Sequence, residues 1–293
     1  VGFREALKPM YVADIHSCRV LVPQVGERIH ELSALVTAMD ARERIPQIEV
    51  AAGDDATALV FRHLDPLSAA DTQRLVEFGQ RTSLMIYLQP GGNDSVHPLW
   101  PVDAALSFRI PAAEVELAFR PLDFVQVNAG MNQRMIARTL DQLDPQPGER
   151  VLDLFCGLGN FTLPIARRAA SVVGVEGEAG LVARARDNAR ANGIANAEFF
   201  AADLSQDLRG EAWVRQGFDK LLLDPPRTGA DACIPQLPLD GVRRIVYVSC
   251  HPGSLARDAG ILVREHGYRL ISAGVMDMFP HTAHVESIAL FER

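Results

Sequence analysis

The order of elements along this chain of 293 residues predicts an α/β protein: a doubly wound, mostly parallel sheet over residues 121–293, preceded by a smaller mixed α+β domain over residues 1–120. Three observations predict it. Beyond residue 125, buried-looking strands alternate with amphipathic helices over roughly 160 residues, the pattern of strands that return parallel through helical crossovers. Before that point, strand-like runs are joined by short turns, as in an antiparallel arrangement. The composition, 48% apolar and 23% charged with 22 Gly and 18 Pro, is that of a globular chain and excludes disorder, collagen and coiled coil.

In the first domain a helix is expected over 27–44, because Ile29, Leu32, Leu35, Val36 and Met39 fall on one stripe. Strands come next at 47–52 and 58–63, joined through Gly53-Asp54-Asp55 as a hairpin. A second helix covers 70–81, and a strand at 84–88 ends at Gln89-Pro90-Gly91-Gly92. Strands at 104–110 and 115–119 flank another short turn. In the second domain Met131, Met135, Ile136, Leu140 and Leu143 lie at helical spacing over 130–143, and Asp144-Pro145-Gln146-Pro147-Gly148 stops that helix. Strands are then expected at 150–155, 171–176, 197–201, 220–223 and 244–249, with helices after 150–155, 171–176, 220–223 and 244–249. A final pair lies near 268–274 and 285–291.

Charge and cysteine usage narrow the function. The net charge is −8, from 29 basic and 37 acidic residues, which argues mildly against a general nucleic-acid binder. Cys18, Cys156, Cys233 and Cys250 stand far apart with no CxxC pair, so neither a disulfide framework nor a zinc site is spelled out. His281 and His284 resemble a metal pair but lack further ligands. No apolar run reaches the ~18–20 residues of a membrane span, and the polar opening is unlike a signal peptide. A cytoplasmic protein without a membrane partner is expected.

The chemistry gathers at the carboxyl ends of the expected parallel strands. Residues 151–160 form an apolar strand that runs into Cys156-Gly157-Leu158-Gly159-Asn160, a turn in which backbone can approach a ligand closely. The third glycine of the dinucleotide fingerprint is missing, so a nicotinamide cofactor is disfavoured. About 20 residues on, Glu176 ends the next strand, where a carboxylate accepts both hydroxyls of a ribose. Asp203 comes after the third strand, as an adenine-edge contact or as a plain helix N-cap. Leu221-Leu222-Leu223-Asp224-Pro225-Pro226-Arg227 brings another carboxylate to that edge, and its two prolines stiffen the backbone beyond it. The strand at 244–249 delivers Cys250 there, where a nucleophile is useful. Glu286 opens the last strand, placed to act as a general base if its surroundings are desolvated.

Taken together, these residues resemble the S-adenosylmethionine-dependent RNA (uracil-5-)-methyltransferases, and most closely their members that act on 23S rRNA. The resemblance rests on Phe124-Val125-Gln126-Val127-Asn128, on Asp153 through Thr162, on Val175-Glu176-Gly177, on Asp224-Pro225-Pro226-Arg227, on Val248-Ser249-Cys250 and on Asp277 through Thr282. It implies a Rossmann-like methyltransferase domain in which Gln126, Phe155, Asn160, Glu176, Asp203 and Asp224 hold S-adenosylmethionine. Cys250 is then the nucleophile that adds to carbon 6 of uracil, and Glu286 the base that removes the proton from carbon 5. The target uridine of 23S rRNA would be flipped out of its stack. The enzyme would be a monomer with no DNA substrate. Two positions depart from the family pattern: His251 stands where Asn is usual after the nucleophile, and Pro226 where Ala is frequent.

The same resemblance implies an N-terminal RNA-binding β-barrel and a [4Fe-4S] cluster held by four cysteines. Cys18 corresponds to the fourth ligand, and its three partners are missing from this sequence, so a shortened chain is expected. Within the family, a uracil-5 methyltransferase of tRNA or of another rRNA site is the alternative, and two other functions compete less strongly. An amino-methyltransferase would explain Asp224-Pro225-Pro226, but Arg227 replaces its aromatic residue and Cys250 would have no task. A non-catalytic RNA-binding domain would need neither Cys250 nor Glu286.

Overall fold

The computed structural model describes every residue except 6–10, 104, 281 and 283. The chain packs as two units, one made of residues 1–108 and 118–123 and the other of 109–117 and 124–293.

The first unit begins with a one-turn helix, α1 (Pro23–Gly26), and a longer one, α2 (Ile29–Ala38). The single helix expected over 27–44 is therefore broken. The cause lies far away in sequence: the fully buried Asp71 carboxylate accepts the backbone N–H groups of Asp40 and Ala41, both at 2.9 Å. Those donors are drawn out of the helical ladder, and only a 3₁₀ turn at Arg42–Arg44 comes after them.

Strand β1 (Gln47–Ala52) pairs antiparallel with β2 (Thr57–Arg62) through the expected hairpin. Helix α3 (Ala69–Thr82) is capped by Ser68, whose hydroxyl accepts from Asp71 N–H. It then returns the chain to β3 (Met85–Gln89), which runs parallel to β2. This corrects the antiparallel reading, since a helix rather than a short turn joins the two strands. Strand β4 (His97–Trp100), not foreseen, completes the sheet order β1-β2-β3-β4. Pro98 within it suits an edge position, where a missing N–H is tolerated. Val25, Leu32, Met39, Leu59, Phe61, Leu75, Phe78 and Ile86 form the core of this unit. Strands β5 (Leu106–Ile110) and β6 (Val115–Phe119) make a separate ribbon, whose tip belongs to the second unit and whose base belongs to the first.

In the second unit α4 (Ala129–Leu143) is capped by Asn128, whose side-chain oxygen accepts from Met131 N–H at 3.1 Å. Then come β7 (Arg150–Leu154), the short α5 (Thr162–Ala166), β8 (Ser171–Glu176), α6 (Ala179–Ala191), β9 (Ala197–Ala201), β10 (Lys220–Leu223), β11 (Arg244–Ser249), α7 (Pro252–Arg264), β12 (Arg269–Met276) and β13 (Glu286–Glu292). The sheet order is β12-β13-β11-β10-β7-β8-β9. Strands β7 to β11 are parallel, and β13 runs antiparallel between β11 and β12. The order reverses beside β7 and β10, which opens a crevice at their carboxyl ends.

The helix expected between β10 and β11 does not form. Pro225, Pro226, Pro235 and Pro238 interrupt that stretch, and it holds only 3₁₀ turns at Ile234–Gln236 and Leu239–Gly241. Strand β7 is buried on both faces, β10 entirely and β11 nearly so. That is why these strands read as continuous apolar runs.

Candidate active site

The strand ends set the geometry. Leu154 pairs with Leu223, and Leu223 with Tyr247, so the residues after β7, β10 and β11 emerge side by side. Phe155 leaves β7 with a φ of +65°, a left-handed conformation costly for an aromatic residue, on the order of 1–3 kcal/mol. Its N–H and that of Cys156 both donate to Val175 O, at 2.8 and 3.1 Å. This kink sends the chain into the turn holding Gly157, at φ +54° with open space around its missing Cβ.

The Gly157 N–H donates to Glu176 Oε2 at 3.1 Å, and Glu178 N–H to Oε1 at 3.2 Å. The carboxylate at the tip of β8 is thus oriented by backbone and keeps lone pairs for a ligand. At the far side of the turn Asn160 and Asn132 exchange two amide hydrogen bonds of 3.0 Å. Asn132, on the first turn of α4, was not anticipated. Gln126, in the segment before α4, has a buried Oε1 with no protein partner, so an acceptor is aimed inward awaiting a donor. Asp203 is exposed, and its Oδ1 accepts from both the N–H and hydroxyl of Ser205, at 2.9 and 2.6 Å, which lowers its pKa. No helix starts there, so this is a turn contact and not a helix cap.

Cys250 and Glu286 lie on the other side of the crevice. Ser249 faces Ser287 as the last pair of β11 and β13; Cys250 comes just after the one and Glu286 just before the other, close enough that the Glu286 carboxylate acts on the thiol. Glu286 is 3% exposed, and burial raises its carboxyl to about 7. Asp224, one residue past β10, is raised to about 8 by burial and then by the neighbouring Glu286 and Asp153. Asp153 itself is wholly buried within β7, takes a hydrogen bond of 2.5 Å from Thr162, and is raised to about 7 by desolvation against that bond. The half-buried Cys250 thiol is pushed up by burial, then by Glu286 and Asp224, while the Arg227 guanidinium pulls it down. His251 caps α7 with its ring: Nδ1 accepts from Ser254 N–H at 3.1 Å. An Asn side chain would cap in the same way, so this departure keeps the helix start after Cys250.

Cys18 belongs to the first unit, where its N–H donates to Gly26 O. Among the described residues no group of three or more His, Cys, Asp or Glu is placed to hold a metal. An iron–sulfur cluster does not fit the residues around Cys18, and no step is derived through one. His281 lies outside the described residues. No helix of the described residues is long and apolar enough to cross a membrane.

Sequence reasoning missed Asn132 and also Asp258, a buried acid on α7. Neither carries a local signal, because its partners come from elements far along the chain.

The comparisons agree with this geometry. A sequence model described as tRNA (Uracil-5-)-methyltransferase matches residues 107–293. Over all 293 residues the chain is 67% identical to "23S rRNA (uracil(1939)-C(5))-methyltransferase RlmD" of Xanthomonas campestris pv. campestris (strain 8004). It is 62% identical to the protein of that name from Stenotrophomonas maltophilia (strain R551-3). In each case it spans 66% of the relative's length. A solved tRNA (uracil-54, C5)-methyltransferase from Pyrococcus abyssi, in complex with S-adenosyl-L-homocysteine, shares the fold with a TM-score of 0.77 at 24% identity, covering 99% of this chain and 72% of that one. The motifs, the sheet order and the matched span place this chain in the tRNA (uracil-5-)-methyltransferase family.

Proposed function

We propose that the protein transfers a methyl group from S-adenosylmethionine to carbon 5 of a uridine in 23S rRNA. The observation that carries this reading is that Cys250 and Glu286 stand next to the last β11–β13 pair, Ser249 and Ser287, beside Asp224 at the carboxyl edge of the sheet. The 62–67% identity to curated 23S rRNA methyltransferases favours that substrate over tRNA.

The residues suit the cofactor. Glu176, held by two backbone N–H groups, would accept the ribose hydroxyls, and the orphaned Gln126 Oε1 would accept a donor of the ligand. Phe155 and Asn160 would line the turn beneath it. Burial, then the neighbouring Glu286 and Asp153, raise Asp224, so carboxylates gather in the crevice, and a ligand carrying sulfonium and ammonium groups would complement them. Asp203 would contact the adenine edge with the oxygen that Ser205 leaves free. S-adenosylmethionine supplies the methyl group as an electrophile.

Cys250 does the activating work. Its thiolate adds to carbon 6 of uracil, and the electron pair of the 5,6 double bond moves to an enolate centred on carbon 5 and oxygen 4. That carbon becomes nucleophilic enough to take the methyl group. The Glu286 carboxylate then removes the proton from carbon 5, the double bond re-forms, and the Cys250 thiolate leaves. A carboxyl near 7 matches that task, being partly ionised at neutral pH and basic enough to accept a proton. The uridine must be out of its stack to reach Cys250, and a single chain provides every residue named here.

Incubation with methyl-labelled S-adenosylmethionine and either a 23S rRNA fragment or a tRNA transcript tests the assignment. Label in 5-methyluridine of the rRNA, lost in Cys250→Ala, is the expected result. Label in the tRNA alone would replace the substrate, and label outside uracil would overturn the reaction.

A further inference from the structure

A buried acid on α7 is unused by the chemistry above. Asp258 is 0% exposed and serves three donors from three parts of the second unit. Its Oδ2 accepts from Tyr247 hydroxyl at 2.5 Å and from Ala230 N–H at 2.6 Å, and its Oδ1 from Arg257 Nε at 2.8 Å. Tyr247 lies on β11 three residues before Cys250. Ala230 lies in the turn just after Asp224-Pro225-Pro226-Arg227. Arg257 adds a second tie to that turn, donating to Thr228 O at 2.7 Å and pairing with Asp231 at 3.1 Å.

The packing at this point is tight. Gly229 sits at φ +85°, and a Cβ there would lie 2.4 Å from Arg257 Nη2 and 2.6 Å from Asp258 Oδ2. The turn is therefore pressed against the start of α7 as closely as a backbone allows. Leu223 pairs with Tyr247, so the chain beyond Asp224 runs alongside Ser249 and Cys250 and carries Arg227 with it.

We propose that Asp258 is a positioning residue of the methyl-transfer site: its carboxylate pins the 226–231 turn to the helix that comes after Cys250 and so fixes Arg227 beside the thiol. This rests on the reading of Cys250 as nucleophile. The charged and titratable groups around that thiol are Asp224 and Arg227 from the β10 side, Glu286 from β13, and the adjacent His251. Arg227 is the cation among those that act on it, and it opposes the two carboxylates.

Thiol alkylation tests the proposal without RNA or cofactor. Iodoacetamide labelling of the Cys250 peptide is tracked by mass spectrometry from pH 6 to pH 10 in the wild-type protein, Asp258→Asn, Arg227→Gln and the double variant. Asp258→Asn is expected to move the labelling profile to higher pH and to slow labelling at pH 8 by about three- to tenfold, as losing one nearby unit charge would. Arg227→Gln should do the same, and the double variant should shift no further than Arg227→Gln alone. Should Asp258→Asn not fold, Arg257→Gln, altered at a side chain 46% exposed, is expected to shift the profile in the same direction. A purely structural role would lower the melting temperature and leave the profile where it is. Profiles that coincide with wild type, or effects of Asp258 and Arg227 that add, would overturn the proposal. An alkylation shift with methyl transfer unchanged would instead count against Cys250 as nucleophile.

Discussion

At the scale of single residues, two side chains divide the proposed reaction between them. Cys250 makes the bond to uracil and Glu286 allows it to break, so their substitutions should fail differently. Cys250→Ala removes the addition step and should give no covalent complex. Glu286→Gln keeps addition and methyl transfer but loses the base. Turnover is expected to fall by about 10²–10⁴, with a protein–RNA adduct accumulating on a denaturing gel. An adduct that clears at the wild-type rate would show that another group takes the proton. Glu176→Gln belongs to a separate class. It halves the charge-assisted acceptance of a ribose diol and should weaken S-adenosylmethionine binding about tenfold by titration calorimetry, with the maximal rate much less affected. The motif order suggested these roles, yet the placement of the side chains was not legible in it. Nothing in the sequence says that Glu286 stands close to Cys250, because that comes from the register of β11 and β13. Asn132 was invisible for the same reason: its partner Asn160 is 28 residues away.

At the scale of elements, the site depends on how tightly turns are held at strand ends. The 226–231 turn is fastened by Asp258, and Tyr247 gives that acid one of its three donors. Tyr247→Phe leaves a buried carboxylate short of one hydrogen bond, expected to cost about 1.5–3 kcal/mol in urea denaturation. An unchanged midpoint would mean that the hydroxyl contact contributes nothing. Strands β8 to β11 were legible to the residue; β8, β10 and β11, covered on both faces, appear as unbroken apolar runs, whereas β9 lies at the sheet edge. The misses have two causes, a distant partner and proline. The helix expected over 27–44 is cut by Asp71, 30 and 31 residues away from the N–H groups it takes. The helix expected after β10 yields to prolines and to the Gly229 turn. Strand β4 hides behind Pro98, which local propensity counts against a strand.

Across the whole molecule, stability and activity should respond to pH in opposite directions. Asp153, Asp224 and Glu286 all have carboxyl groups raised by burial, to about 7, about 8 and about 7. A group raised on folding contributes stability that is fully present below its unfolded value near 4 and is lost as pH climbs through the folded value. The melting temperature of the ligand-free protein should therefore fall between about pH 4 and pH 8, and Asp224→Asn should flatten that fall. The rate of methyl transfer should rise over the upper part of that window and beyond it, as Glu286 and then the Cys250 thiol ionise. A melting temperature that climbs with pH would contradict the buried-carboxylate account. The division of labour is also molecular in scale: every residue assigned to catalysis or cofactor binding lies in the second unit, which holds nearly all of the span shared with the family.

The central claim, that Cys250 forms a covalent bond to carbon 6 of uracil while carbon 5 is methylated, has one direct measurement. The protein is incubated with S-adenosylmethionine and an RNA containing 5-fluorouridine at the target site, and the product is weighed by intact mass spectrometry. Fluorine cannot depart as a proton does, so the cycle should stall with methylated RNA attached through Cys250, and Cys250→Ala should abolish the adduct. Methylation of ordinary uridine with no adduct on the fluorinated RNA, or an adduct that survives Cys250→Ala, would contradict the account.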